Sequence, residues 1–520
     1  MTASYPRSGE AVALQRRQFG PTDVAALYAS LTGNGARPET LLLDSPGGRS
    51  ILLEKAALRI ACRGQEVQLT ALSGGGRLLL KAIAQDLRQY VDDAGQDGAL
   101  FRFPRIVSED AEERLKAPSP FDTLRSALFR IHSVSPEQPF TLFAGGIISF
   151  DHVDLFEDLP PASSDPLGFP DFIFWVAESL VVHEAGGATT IICTAFGSDH
   201  EVQAASCFND ARERLERLAE NIRSAVPGLA QLPAPSSTTD VSVEVDLPDP
   251  VFAGVVTALK SAIARGDIFQ VVPSRTFRIP CADPFSAYRA LRRSDESPYH
   301  FFVAGDDHQL FGASPETSVR VQEREGVFRV EVKPIAGTRR RGSNGDEDNR
   351  IEAELRLDEK EIAEHMMLVD LARNDVARVS TPGTRHVPRL LTVERYARVM
   401  HLVSSVEGQL QPGFDALHAV QACLNVGTLS GAPKIKATEL IRLVEGAKRG
   451  PYGGAVGWIA GNGELETAVV IRSAVVSDGI AHVRAGAGVV HDSNPQAEAD
   501  ETRRKAAAVL SAIHSVEVAT

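Results

Sequence analysis

Two E-x-x-E pairs, each inside a helical pattern, constrain this chain more than any other feature of its sequence. Glu361 and Glu364 lie in the run Asp358–Asp375, and Glu498 and Glu501 lie near the end of the 520 residues. Residues three apart share one face of a helix, so each pair presents two carboxylates side by side. Four carboxylates that converge on one point require a hard cation, and Mg²⁺ prefers oxygen ligands of this kind.

The two predicted helices are similar in design. Each glutamate pair begins one residue before an apolar stripe at helical spacing. The stripes are Ile362, Met366 and Val369 in the first helix and Ala499, Ala506, Leu510 and Ile513 in the second. Asn494 is a candidate N-cap followed by Pro495, which places the second pair in the first two turns of its helix. E-x-x-E spacing is also common on solvated helix faces, and spacing alone leaves that alternative open.

Charge and composition exclude several classes of function. The formal net charge is −14, which leaves no broad basic surface for nucleic acid or an anionic membrane. The N-terminal segment is charged, and no apolar run reaches the length of a membrane span, so we expect a cytoplasmic protein. The five cysteines are scattered and lack C-x-x-C spacing, which predicts neither disulfides nor a zinc site.

A Pro/Ser/Thr-rich stretch, Pro227–Asp240, is the predicted boundary between two regions, 1–240 and 241–520. The first region mixes short strand patterns with amphipathic helices, including a charged helix over Glu201–Ser224. This order predicts an α+β fold, because regular βαβ alternation is absent.

The second region predicts strands joined by tight turns. One continuous strand is expected over Leu465–Ser477, and Asp478-Gly479 is the turn of a predicted hairpin. A single helix is expected over Ile351–Asp375. The polar run Arg339–Asn349 is expected to be a mobile loop.

Arg472 is unusual because the strand pattern around it is otherwise apolar. A guanidinium in such a strand is costly unless it meets a carboxylate, so we expect either a ligand carboxylate or a structural acidic partner. The following strand runs into Gly486–Gly488, where small residues let a ligand approach backbone N–H groups. Together these features indicate a pocket for a carboxylate.

A second small-residue loop, Gly427–Lys434, precedes a helical pattern and resembles an anion-binding turn at a helix start. It is not a P-loop, because G-x-x-x-x-G-K-[ST] is absent here. Tyr452 and His401 are single polar residues in apolar surroundings. From residue type alone, each is more typical of a satisfied core residue than of a catalyst.

Eight segments occur in an order that resembles the chorismate-utilising enzymes, and most of all the large subunits of anthranilate synthases. They are P-I-A-G-T at 334–338, the run 358–375, V-M-H-L-V-S at 399–404, G-T-L-S-G-A-P-K at 427–434, Y-G-G-A-V-G at 452–457, I-R-S-A at 471–474, A-G-A-G-V-V at 485–490 and 493–501. The resemblance covers about 245–515. It implies two facing, roughly orthogonal antiparallel β-sheets with helices outside, and Mg²⁺-dependent conversion of chorismate.

The resemblance also implies roles for individual residues. Glu361, Glu364, Glu498 and Glu501 would hold Mg²⁺ against the ring carboxylate of chorismate. Glu316 matches the general acid for the departing 4-hydroxyl, with a pKa expected to be raised by surrounding carboxylates. His401 matches the residue that transfers a proton during loss of pyruvate. The substrate would be bound by Gly337, Thr338, Thr428, Tyr452, Arg472, Gly486, Ala487 and Gly488.

Two positions bear on which member of the family this chain resembles. The family members that use water as the nucleophile look to carry a lysine base at the position where this chain has Gln270. Members that aminate at C4 carry a ring-attacking lysine where this chain has Ala336. The resemblance therefore implies amination at C2 followed by loss of pyruvate.

The N-terminal region resembles the tryptophan-inhibited members. Leu42–Ser45 is similar to their L-L-E-S element, and Ser45, Pro298, Tyr299 and His300 would form the inhibitor pocket. Asp44 stands where those members have glutamate, so the strength of inhibition is open. Both segments also suit ordinary strand edges.

No cysteine has the G-x-C-x-G surroundings of a glutaminase nucleophile, so a separate glutamine amidotransferase subunit is expected to supply ammonia. Two alternatives stay open. One is an aminodeoxyisochorismate synthase that stops before pyruvate loss. The other is a non-catalytic metabolite-binding protein on the same fold, which would have no need to keep acid, base and metal ligands together.

Overall fold

A computed structural model describes residues 5–20, 22–105, 108, 110–224, 242–396 and 399–517. The predicted boundary segment, Pro227–Asp240, lies outside the described residues. Among the residues that are described, each helix is too short or too polar to cross a membrane.

The described residues form 25 strands. They are β1 Glu10–Phe19, β2 Thr40–Asp44, β3 Arg49–Arg63, β4 Glu66–Ala71, β5 Val91–Ala94, β6 Gly98–Arg102, β7 His132–Ser133, β8 Phe143–Ile148, β9 Phe172–Glu184, β10 Ala188–Phe196, β11 Glu244–Val245, β12 Gln270–Val271, β13 Ser274–Pro280, β14 Tyr299–Ala304, β15 Gln309–Ser314, β16 Thr317–Arg324, β17 Val327–Val332, β18 Ile335–Arg340, β19 His386–Arg395, β20 Val399–Gln409, β21 Gly431–Ala432, β22 Ala455–Ala460, β23 Leu465–Val469, β24 Ser473–Ser477 and β25 Ile480–Gly486.

Twelve α-helices accompany these strands in the described part of the chain. They are α1 Val24–Thr32, α2 Gly74–Asp86, α3 Ala111–Lys116, α4 Asp122–Leu128, α5 Glu201–Ser224, α6 Asp249–Ala264, α7 Pro284–Ser294, α8 Gly345–Leu357, α9 Glu359–Ala377, α10 Ala416–Cys423, α11 Lys434–Glu445 and α12 Pro495–Glu517.

Two long strands, β3 and β9, belong to two sheets at once. The N-terminal half of β3 pairs with β2 and its C-terminal half pairs with β4, and the register against β9 shifts between Leu53 and Leu58. β9 likewise pairs with β8 along its first half and with β10 along its second half. Bulges of this kind bend a strand, so the two sheets share these strands and diverge on either side of them.

The first sheet has the order β7-β1-β10-β9-β3-β2-β14-β15-β24-β25-β13-β11, and the second has the order β5-β6-β4-β3-β9-β8-β22-β23-β16-β17-β20. β20 also pairs with β18 and β19. Apart from β1 with β7, the pairings between these strands are antiparallel. The predicted α+β fold with large antiparallel sheets is therefore confirmed.

Strands from both predicted regions pair directly. β2 pairs with β14, and β8 pairs with β22, so each sheet contains strands from before and after the boundary segment. The division at residue 240 stays a prediction about the sequence.

Three apolar layers hold the sheets and helices together. Between the sheets lies a cluster that includes Trp175, Phe301 and Trp458. Helices α1, α7 and α12 cover the outer face of the first sheet, and α2, α4, α9 and α10 cover that of the second. Burial of such large side chains contributes about 1.5–3 kcal/mol each. The side chains of all five cysteines are buried.

Three local predictions are wrong. The helix expected over Ile351–Asp375 is two helices, because Asp358 ends α8 and its carboxylate accepts hydrogen bonds from the first backbone N–H groups of α9. The expected loop Arg339–Asn349 is shorter than predicted, because β18 extends to Arg340 and α8 begins at Gly345. The strand expected over Leu465–Ser477 breaks between β23 and β24, where Arg472 has a left-handed φ of 47°.

Candidate active site

The residues predicted to bind the substrate or to act in catalysis lie between the two sheets and the helices α9 and α12. Thr338 on β18 lies opposite His401 on β20 in the second sheet. Gly486 ends β25 of the first sheet, and Lys505 on α12 donates a hydrogen bond to its carbonyl at 3.1 Å. The site therefore lies where both sheets approach the two glutamate-bearing helices.

Glu316 lies between β15 and β16 and is 6% exposed. Burial raises the pKa of its carboxyl to about 7, against opposing effects of a hydrogen bond from Thr428 and the charges of Lys505 and Arg472. The raised pKa was predicted, but its predicted cause was wrong. Burial disfavours the charged form, whereas the nearby charges are cations.

His401 is buried on β20, as residue type predicts, and its Nδ1 lies 2.9 Å from Thr338 Oγ1. Burial and the charge of Arg472 lower the pKa of the imidazole to about 4. The ring is therefore neutral near pH 7 and can accept a proton, and Thr338 fixes its orientation.

Arg472 lies at the break between β23 and β24 and is partly exposed. Its Nη1 lies 3.6 Å from Asp295 Oδ2, so the expected carboxylate partner is present within the chain. Its positive charge also affects the pKa values of Glu316 and His401. One guanidinium thus acts on Glu316 and His401 and lies near the carboxylate of Asp295.

Protein atoms approach Gly486 and Gly488 so closely that a side chain at either position would press against them. A Cβ on Gly486 would lie 2.8 Å from the carbonyl oxygen of Pro273 and 3.0 Å from the hydroxyl of Tyr452. A Cβ on Gly488 would lie 3.0 Å from Gln270 Nε2. The backbone N–H of Ala487, between the two glycines, donates a 3.1 Å hydrogen bond to the carbonyl of Pro273, so anion binding by this turn stays a prediction.

The glutamates of the two helices affect one another. Burial and the charges of Glu361 and Glu498 raise the pKa of Glu364, and burial and Glu501 raise the pKa of Glu498. Glu364 on α9 and Glu498 on α12 therefore lie close enough to interact, and the convergence of all four carboxylates stays a prediction. Gly337 adjoins this group, because a Cβ there would lie 3.2 Å from Glu361 Oε2.

Each of three glutamates also has a cationic neighbour. Arg339 contacts Glu361 at 2.8 Å, Lys360 contacts Glu364 at 3.7 Å, and Lys505 contacts Glu501 at 2.7 Å. Among the described residues, no three Asp, Glu, His or Cys side chains already form a metal-ligand set. The donor set itself, carboxylate oxygens whose charges disfavour each other, is the kind that a hard divalent cation stabilises.

A cavity of about 260 Å³ lies apart from the candidate active site and beside the predicted inhibitor segment. It is called the second cavity below. Ser45, Tyr299 and His300 line it, and Ser45 Oγ donates a hydrogen bond of 2.8 Å to the carbonyl of Pro298. Asp44 also lines it, but its carboxylate is paired with Arg292 and accepts a hydrogen bond from Ser50. Proximity of the four predicted residues is therefore observed, and their role stays a prediction.

Sequence reasoning missed several residues at both sites. Lys505 could have been found, because it lies four residues after Glu501 on the same helix. Trp458, Glu466 and Arg320 line the second cavity, and Asp295 contacts Arg472. No local pattern marks these four residues, since each is defined by a partner that is distant in the sequence.

Comparisons with known proteins identify relatives of this chain. The family described as chorismate binding enzyme matches residues 87–511. The chain is 46% identical over 506 residues to anthranilate synthase component 1 of Vibrio cholerae, with 94% of both chains covered. It is 45% identical over 504 residues to the same-named protein of Escherichia coli, again with 94% of both covered.

A solved structure is also similar. The crystal structure of anthranilate synthase component I from Streptococcus pneumoniae matches with a TM-score of 0.71 and 30% sequence identity. The match covers 90% of this chain and 93% of that chain, so the similarity includes both sheets.

Proposed function

The chain belongs to the family of chorismate binding enzymes, and on that basis we propose that it is the large subunit of an anthranilate synthase. It converts chorismate and ammonia to anthranilate and pyruvate, a step of tryptophan biosynthesis. The single observation that carries the proposal is that Arg472 acts electrostatically on both a buried carboxyl of raised pKa, Glu316, and a buried imidazole of lowered pKa, His401. Groups whose pKa values are shifted in these directions suit an acid and a base.

In the first half-reaction, ammonia forms a bond to C2 of the ring as the ring double bonds shift and the C4–O bond breaks. The departing hydroxyl needs a proton to leave as water. Glu316, with a pKa of about 7, is protonated below that pH and donates it. Arg472 binds a carboxylate of the substrate and holds the ring in place.

In the second half-reaction, the proton on C2 leaves as the C3–O bond breaks, which makes the ring aromatic and releases enolpyruvate. Enolpyruvate then takes up a proton at its methylene carbon and becomes pyruvate. His401 is neutral near pH 7 and accepts the C2 proton. The contact between Thr338 Oγ1 and His401 Nδ1 holds the ring during this transfer.

Glu361, Glu364, Glu498 and Glu501 would hold Mg²⁺, which when bound offsets the negative charge of the substrate carboxylate. Their mutual effect on pKa supports this assignment. Arg339 and Lys505 now neutralise Glu361 and Glu501 and would exchange these partners when the ion binds.

A partner and an inhibitor complete the proposal. The relatives are named component 1, which supports a second component, and we propose a glutamine amidotransferase that delivers ammonia. The cavity beside Ser45, Pro298, Tyr299 and His300 is proposed to bind tryptophan as a feedback inhibitor. A cytoplasmic location stays the prediction made from the sequence.

The decisive experiment combines the purified chain with chorismate, Mg²⁺ and ammonium at alkaline pH. Fluorescent anthranilate should form, and glutamine should replace ammonium only after an amidotransferase subunit is added. Isochorismate or 4-amino-4-deoxychorismate as the main product would refute the proposal. An aminated product without anthranilate would favour the aminodeoxyisochorismate synthase, and no turnover would favour a binding protein.

A further inference from the structure

Asp295 is the one acidic side chain within ion-pair distance of Arg472 among the described residues. The side chain of Asp295 is 12% exposed and that of Arg472 is 32% exposed. The 3.6 Å between Asp295 Oδ2 and Arg472 Nη1 is longer than a hydrogen bond. Asp295 therefore orients the guanidinium by charge and leaves its N–H donors available to a ligand.

Asp295 also fixes the chain that follows it. Its Oδ1 accepts a 2.8 Å hydrogen bond from the backbone N–H of Ser297, and its carbonyl lies 3.0 Å from His300 Nε2. Both contacts fold the segment 295–300 back onto Asp295. A movement of this segment would therefore displace the carboxylate that faces Arg472.

The other end of the same segment forms a wall of the second cavity. His300 and Tyr299 line that cavity, and the Pro298 carbonyl accepts a hydrogen bond from Ser45. Across the cavity wall, β14 pairs with β2 from His300 to Ala304. Nδ1 of His300 is buried and has no hydrogen-bond partner among the residues that the structure describes.

We propose that Asp295 is a positioning residue for Arg472 and that the segment 295–300 couples the substrate arginine to the second cavity. The inference rests on the proposed function, because it takes Arg472 as the chorismate-carboxylate ligand and the cavity as the tryptophan site. A ligand in the cavity that shifts Tyr299 or His300 moves Asp295, and Arg472 then loses its productive orientation. By reciprocity, chorismate bound to Arg472 weakens binding of tryptophan by the same factor.

The first test measures chorismate binding to Asp295→Asn. Asparagine retains an oxygen for the Ser297 N–H and removes only the charge that faces Arg472. We expect KM for chorismate to rise about 5-fold with kcat changed less than about 2-fold, the size typical of a partly exposed ion pair. Asp307→Asn is the matched control, because Asp307 is exposed in the turn between β14 and β15 and should leave both constants unchanged.

A double-mutant cycle separates positioning from a general structural role. In an Arg472→Gln background, Asp295→Asn should no longer affect chorismate affinity measured by calorimetry without ammonium, because its effect passes through the guanidinium. Equal effects of Asp295→Asn in both backgrounds would overturn the inference. Asp295→Glu should recover part of the affinity, since it restores the charge.

The second test measures the coupling itself. Calorimetry should show that saturating chorismate weakens tryptophan binding to the wild-type chain by about 5-fold or more, and that Asp295→Asn reduces this factor toward one. An unchanged factor in Asp295→Asn would overturn the inference while the proposed function stands. Failure of the wild-type chain to bind chorismate would overturn the proposed function and this inference with it.

Discussion

Thr428 Oγ1 donates a 2.8 Å hydrogen bond to Glu316 Oε1 across the active site. The bond favours the charged carboxylate, whereas burial disfavours it, and burial is the larger effect because the pKa is raised to about 7. Thr428 therefore limits how far the acid is shifted. Loss of this hydrogen bond should raise the pKa of Glu316 further.

The first prediction concerns pH. At a fixed concentration of neutral ammonia, kcat/KM should fall above about pH 7 as Glu316 loses its proton. Thr428→Val removes a bond that stabilises the carboxylate, so the pKa should rise and the alkaline limb should move up by roughly one pH unit. Ser430→Ala is the matched control, because Ser430 Oγ bonds to the backbone carbonyl of Val426 instead. An unmoved limb in Thr428→Val would show that Glu316 does not control it.

A second prediction separates the two half-reactions. Glu316→Gln cannot donate a proton and should stop chorismate consumption. His401→Met should still consume chorismate and release the aminated intermediate, because general base assistance contributes roughly 10²–10⁴-fold to the elimination. Mass spectrometry of the products distinguishes the two variants. Undiminished anthranilate from His401→Met, with no intermediate, would make His401 a packed core residue.

Metal dependence is the third prediction. EDTA should abolish turnover, and Glu361→Gln or Glu498→Gln should lower both activity and Mg²⁺ affinity by orders of magnitude, since the ion has few carboxylate ligands. Glu359→Gln on the same helix is the matched control, because that side chain is exposed and outside the group. Calorimetric titration with Mg²⁺ checks binding without turnover. Full activity in EDTA would contradict the assignment.

The sequence predicted helices well where their end signals are local. α5 spans Glu201–Ser224 as expected, and Asn494 caps α12 through hydrogen bonds to the N–H groups of Gln496 and Ala497. The break at Asp358 was missed because helical periodicity continues on both sides of it. An N-cap residue within an uninterrupted helical pattern is recognised only from the structure, where the backbone changes direction.

Some site residues have a local signal in the sequence and others do not. The glutamate pairs and Gly486–Gly488 carry their own spacing, so the sequence indicated them. Asp295 was missed because its role depends on its contact with Arg472. The two residues are distant in the sequence, and the sheet topology brings them together. The cause of the Glu316 pKa shift was missed for a related reason. Burial depends on the packing of the whole fold, and the residues nearest in sequence do not reveal it.

The last prediction concerns the glycines of Y-G-G-A-V-G, which the packing of β22 requires. A Cβ on Gly454 would lie 2.0 Å from the carbonyl oxygen of Ile148, and one on Gly457 would lie 2.1 Å from that of Glu466. Both obstacles are backbone atoms in paired strands and cannot rotate away. Gly457→Ala should therefore lower the free energy of unfolding by at least about 1–3 kcal/mol, the usual cost of overpacking.

Gly254→Ala is the matched control with the opposite expected sign. Gly254 is exposed within α6, and a Cβ there would meet no atom of the described residues within 4 Å. Alanine restricts the unfolded chain and suits a helix, so this substitution should raise stability by about 0.5–1 kcal/mol. Urea denaturation of both variants, followed by circular dichroism, measures the difference. Equal stability of the two variants would mean that β22 can shift to accept a side chain, and the motif would then need a functional explanation.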